Sequence, residues 1–145
     1  MMTVNIYLTF DGNCREAFEF YGSVFKSDDL QFNTFSEMPE EEGVPSVSDE
    51  LKDKIMHVTL PISKETSLMG SDTGDEWSQT FQKGNNFSIS VSLDDTKEAD
   101  RIFSELSKGG EVSMPLAKTF WDAYFGMLTD KFGINWIINC DLNPR

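Results

Sequence analysis

Two stretches of the chain carry the same hydrophobic pattern. Ala17, Phe20, Tyr21 and Val24 fall at i, i+3, i+4 and i+7 within NCREAFEFYGSV (13–24), and Ala99, Ile102, Phe103 and Leu106 do so within DTKEADRIFSEL (95–106), each 82 positions further on. That spacing sets four apolar side chains on one face of an α-helix. Asn13 with Glu16, and Asp95 with Glu98, place a capping side chain three residues ahead of a carboxylate that can reach back to it, which predicts where both helices begin. Gly109 and Gly110 predict the end of the second, where a left-handed residue costs little. Just upstream of each helix the period changes to two. NIYLTF (5–10) alternates Ile6, Leu8 and Phe10 with Asn5, Tyr7 and Thr9; SISVSL (88–93) alternates Ile89, Val91 and Leu93 with Ser88, Ser90 and Ser92. Each predicts a strand whose apolar side meets the helix and whose other side meets water or a ligand.

Three further strand patterns follow each helix: about 30–36, 55–62 and 66–71 in the first half, and about 111–117, 123–129 and 134–140 in the second. The unit is β-α-β-β-β, written twice. It predicts an α+β domain spanning 1–145, made of modules 1–82 and 83–145, whose mostly antiparallel sheets curve their uncovered faces around a shared cleft. The halves differ chiefly at 36–54. There SEMPEEEGVPSVSDELKD holds seven acidic residues against one lysine, together with Pro39, Gly43 and Pro45, and reads as a solvated loop. Residues 71–86 read as the linker between modules, and Asp72, Asp75 and Glu76 lack the spacing of a calcium loop.

Charge narrows the partners. With 25 acidic and 12 basic side chains the net charge is −13, a field that repels phosphate backbones and anionic lipid surfaces, so neither nucleic acid nor membrane is expected. No apolar run approaches the roughly 20 residues a bilayer span needs, and the start has no basic segment before an apolar one, which points to the cytoplasm. Two cysteines, Cys14 and Cys140, are too few for a secreted disulfide framework and read as buried free thiols. A bridge between them, or a reactive thiol at Cys14 at a helix N-terminus, is the alternative.

The order of YLTFDGN, EAFEFYGSVF, IMHVTL, SLMGSD and EADRIFSELSKGGEVSMPLAKTFWDAYFGMLTDKFGINWIIN covers almost the whole chain apart from the acidic loop. This ordered set resembles the PhnB-like branch of the vicinal oxygen chelate superfamily, which includes glyoxalases, extradiol dioxygenases and bleomycin-resistance proteins. The resemblance implies the glyoxalase/bleomycin resistance fold, a small-molecule ligand and a homodimer. Some relatives carry a demethylubiquinone methyltransferase label, which no glycine-rich strand-to-helix nucleotide loop supports here. The superfamily's metal enzymes take His, Gln or Glu ligands from the first and last strands of each module. The matching positions here are Asn5, Ser88 and the neighbourhood of Ile137 and Asn139, which are poor divalent-metal ligands. With one histidine in the chain, no metal site of the usual kind is expected.

The candidate site residues therefore lie on the polar strand faces. His57 sits in IMHVTL, where Met56, Val58 and Leu60 take the apolar face and Ile55, His57 and Thr59 the other. An imidazole there suits a general base or a hydrogen-bonding group, because it changes charge near neutral pH. Asn5, Tyr7, Ser88, Ser90 and Asn139 supply polar contacts, and Trp121 and Trp136, from an aromatic cluster with Tyr124 and Phe125, supply flat apolar area. The leading expectation is a small-molecule-binding protein without a metal cofactor. The alternative is a metal-dependent lyase, isomerase or dioxygenase using His57, which leaves room for a divalent metal.

Overall fold

The computed structural model describes residues 1–39 and 47–143. The chain divides into two compact units, Met1–Gln82 and Lys83–Arg145. The first runs β1 (Ile6–Phe10), α1 (Cys14–Val24), β2 (Gln31–Thr34), β3 (Ile55–Pro61) and β4 (Ser67–Asp72), and the second β5 (Ile89–Leu93), α2 (Thr96–Ser107), β6 (Glu111–Lys118), β7 (Ala123–Thr129) and β8 (Asn135–Asp141). Each unit holds one four-stranded sheet, ordered β1-β4-β3-β2 and β5-β8-β7-β6. The first and last strands of each unit pair in parallel, while the others pair antiparallel. A helix crossing between β1 and the rest of its sheet is what permits that parallel ladder.

In the first unit, Leu8, Phe10, Ala17, Phe18, Tyr21, Val58, Leu60 and Leu68 are buried between α1 and one face of the sheet. Each large side chain so removed from water contributes roughly 2 kcal/mol. The approach of helix to sheet is close. A Cβ on Gly70 would stand 2.7 Å from Phe18 Cε2, and one on Gly126 in the second unit 2.7 Å from Phe103 Cε2, so each glycine makes the groove that admits a helix phenyl ring. The second core gathers Ile102, Phe103 and Leu106 of α2 with Leu128, Trp136, Ile138 and Cys140. No helix among the described residues is long and apolar enough to cross a membrane.

Three local expectations change. The helices start as predicted, but Asn13 makes no side-chain cap. The carboxylate of Asp72, at the end of β4, takes that place: its Oδ1 accepts from the backbone N–H of Gly12 (3.0 Å) and Cys14 (2.9 Å). Asp95 does cap α2, accepting from Lys97 N–H at 3.0 Å, and Glu98 binds Arg101 at 2.6 Å. In β3, Asn33 pairs with His57 but Thr34 with Ile55, so Met56 is an extra, bulged residue. The bulge reverses the alternation ahead of it, and Ile55 is wholly buried rather than on the polar face. The supposed linker also contains a short 3-10 helix, Asp75–Thr80.

Part of the acidic stretch, 40–46, lies outside the described residues. Phe35 and Ser36 donate backbone hydrogen bonds to Lys54 and Lys52, both at 3.1 Å, and Leu51 is buried.

Candidate functional site

Each sheet has one face against its helix and one face without a helix. Gly70, which faces Phe18, is paired with Val58, so their strand neighbours point the opposite way. On that uncovered face of the first sheet, Tyr7 is paired with Met69, Met69 with Thr59 and Thr59 with Gln31, and Asn33 sits opposite His57. His57 Nε2 lies 3.0 Å from Thr59 Oγ1, and its ring centre is 5.8 Å from that of Tyr7, tilted by 38°. Tyr7 is 49% exposed. The arrangement gives one hydroxyl, one phenol and one imidazole on one face, with the Met69 thioether in the row between Tyr7 and Thr59.

The second sheet repeats the plan with different chemistry. Gly126 and Leu128 face α2, so Phe125 and Met127 face away from it. Ser92, Asn139 and Phe125 form one row across β5, β8 and β7, and Ser90, Ile137, Met127 and Met114 form the next, reaching β6. Both rows begin with a serine on β5 and become apolar toward β7. Trp121, in the β6–β7 turn, is 54% exposed and packs edge-on against Phe125 at 6.0 Å and Phe120 at 4.8 Å.

The candidates named from sequence divide accordingly. Tyr7 and His57 are brought together; Ser90 and Asn139 share one face, with Trp121 at its edge. Trp136 does not join them. It is 1% exposed on the helix side of β8, and its indole N–H donates to Asp130 Oδ2 at 2.8 Å, so it is a core residue with no free ring face to offer a ligand. Asn5 and Ser88 stand one residue ahead of β1 and β5, both exposed, and Asn5 Oδ1 accepts from Ser67 N–H at 3.4 Å. Asn33, Met69 and Met127 were not singled out, because their place depends on strand register, which alternation alone does not supply.

Both cysteines are free and buried. Burial, and then the charge of Asp72, raise the Cys14 thiol far above its usual range, with Arg15 a lesser opposing influence. Burial and the carboxylates of Asp94, Asp95 and Asp141 raise Cys140 as well. The helix N-terminus does not make Cys14 reactive, because the orphan N–H groups there are already turned onto Asp72. Native protein treated with a thiol-specific disulfide reagent at about pH 8 is expected to leave both thiols unmodified, and both should react once denaturant is added. Release of one equivalent from the native state would contradict this.

The donor set does not fit a three-ligand metal centre. The positions matching the superfamily's ligands are two exposed neutral side chains, Asn5 and Ser88, an aliphatic one, Ile137, and a neutral amide, Asn139. Among the described residues no three His, Cys, Asp or Glu side chains come together.

Comparison with known proteins gives the lineage. The family described as 3-demethylubiquinone-9 3-methyltransferase matches residues 2–139. The chain belongs to this family. It is similar to Protein YjdN of Escherichia coli (strain K12), 30% identical over 143 residues and 95% of both chains. It is also similar to the crystal structure of protein PA1353 from Pseudomonas aeruginosa, 38% identical with a TM-score of 0.81 over 99% of this chain and 100% of that one. A PhnB protein structure from Bacillus cereus shares the fold at 24% identity and a TM-score of 0.70, covering 96% and 99%. Its α+β fold is the one found in solved glyoxalase/bleomycin resistance and fosfomycin resistance proteins.

Proposed function

We propose that this protein binds small organic molecules on its uncovered sheet faces, each face taken by itself: the first through Tyr7, His57 and Thr59, the second through Ser90, Ser92, Asn139 and Phe125. The observation that carries the reading is the tie between His57 Nε2 and Thr59 Oγ1 at 3.0 Å beside the Tyr7 ring. It orients a histidine toward a face that no helix of its own unit covers, where a hydrogen-bonding ring has a use beyond packing. The methyltransferase in the family's description is not carried over. The β1–α1 turn, Asp11–Asn13, has one glycine where a nucleotide loop would need several.

A homodimer belongs to the same proposal. β6 is one of the two edge strands of its sheet, Val112 and Met114 are exposed along it, and Phe120 is exposed at its end. An apolar edge of this kind is normally covered by a partner. The second reading, a metal-dependent lyase, isomerase or dioxygenase, is favoured only by the position of His57 and would need ligands from another chain.

Native mass spectrometry of the protein as purified tests these together. The expected species has twice the 16.4 kDa chain mass and carries an organic molecule. The His57→Ala variant is expected to keep that oligomer and lose most of the bound molecule. A stoichiometric transition metal that disappears in the same variant would overturn the binding reading in favour of the metal enzyme.

A further inference from the structure

The uncovered faces have a common electrostatic character that restricts what they can hold. The chain has 12 basic side chains, and the structure commits the informative ones elsewhere. Arg15 lies over the Phe32 ring at 4.7 Å, Lys54 donates to Gly12 O at 3.0 Å, and Arg101 pairs with Glu98 on α2. Among the described strand residues Lys118 is the only lysine or arginine; the one histidine, His57, has its Nε2 engaged with Thr59 Oγ1 at 3.0 Å. The cross-strand partner of Lys118 is Tyr124, whose hydroxyl donates to Asp100 of α2, so Lys118 belongs to the helix-bearing face. The rows Ser92–Asn139–Phe125 and Tyr7–Met69–Thr59 are instead built of hydroxyl, amide, thioether and aromatic groups.

Recognition of phosphate, phosphonate, sulfonate or carboxylate draws its energy from Arg or Lys forks, helix N-termini or metal ions. An anion laid on these rows would surrender hydration to neutral groups and meet no lysine or arginine in return. It would also approach against the field of a chain with net charge −13. An uncharged molecule meets neither penalty. Its flat apolar body gains contact with Phe125, Ile137 and Met127, while a hydroxyl, carbonyl or amide edge meets Asn139 and Ser92.

Resting on the binding reading above, we infer that the ligand is an uncharged, flat-bodied organic molecule with polar groups along one edge, and that the protein selects against anions. The test uses two fluorescent probes of one skeleton, neutral N-phenyl-1-naphthylamine and its anionic sulfonate, 8-anilinonaphthalene-1-sulfonate. At about 0.15 M salt the neutral probe is expected to bind at least about tenfold more tightly, because an anion on these rows loses hydration without gaining a lysine or arginine partner. Ser92→Lys or Thr59→Lys, each placing one cation on an uncovered face, is expected to shift that ratio toward the sulfonate by about tenfold, since a charge-assisted bond becomes available. Phe125→Ala should weaken both probes. A wild-type preference for the sulfonate, or a ratio that neither lysine variant moves, overturns the inference and leaves the binding reading standing. Failure of both probes to bind the wild-type protein overturns the two together.

Discussion

Asp72→Ala is expected to lower the unfolding free energy by about 3–5 kcal/mol, a loss far outside the range of an ordinary surface substitution. Asp72 is 4% exposed, and its carboxylate accepts three backbone N–H groups: Gly12 and Cys14 on Oδ1, and Ile55 on Oδ2 at 2.9 Å. One side chain therefore fastens the first turn of α1, the end of β4 and the start of β3. Alanine would leave three donors in a largely dry site, each costing about 1–3 kcal/mol, and would remove an anion from a helix N-terminus, worth about 0.3–1 kcal/mol. Local relaxation and water entry offset part of that sum. Asp72→Asn keeps one oxygen but turns an NH2 group toward a backbone donor, so it is expected to lose about half as much. Urea unfolding followed by circular dichroism gives the free energies, and hydrogen exchange at the Cys14 and Ile55 amides should quicken in both variants. A change below about 1 kcal/mol for the alanine variant would show that this carboxylate is not the anchor described.

The role of Asp72 also marks the limit of what could be read from sequence. The two helices were legible because four apolar residues at helical spacing leave one solution, and they run Cys14–Val24 and Thr96–Ser107 within a residue or so of the expected spans. The caps were half legible. Asn13 with Glu16 and Asp95 with Glu98 look alike, yet only Asp95 caps through its side chain, because a carboxylate nearly sixty positions away reaches the first helix instead. No local pattern encodes such a contact. Ile55 was misplaced for a related reason, since alternation assumes an unbroken ladder and the extra residue at Met56 breaks it. The proposed contact between Trp136 and the ligand was different, because the sequence itself argued against it. Trp136 and Asn139 are an odd number of positions apart on one strand, so they cannot share a face, and the structure puts Trp136 with Ile138 and Cys140. The pairing of Tyr7 with His57, by contrast, needed the register of three strands.

Asp130→Ala should be as damaging to the second unit as Asp72→Ala is to the first, at about 3–5 kcal/mol. Asp130 is 3% exposed at the β7–β8 turn, where Oδ1 accepts from Phe132 N–H at 2.8 Å and Ile134 N–H at 3.0 Å. Oδ2 takes the indole N–H of Trp136. The carboxylate thus ties the shape of a turn to the orientation of the largest side chain in the core. Removing it frees two turn amides and strands the indole donor, whereas Trp136→Phe loses only the indole bond and some volume, at about 2–3 kcal/mol. Since the two side chains share one bond, their losses should not add. The Asp130→Ala, Trp136→Phe double variant is expected to be more stable than the sum of the singles implies by about 1–3 kcal/mol. Strict additivity would mean that the indole is held by apolar packing alone. Coupling of the expected size would show that a buried acceptor holds Trp136 on the helix side of β8, leaving the uncovered face to Ile137 and Asn139.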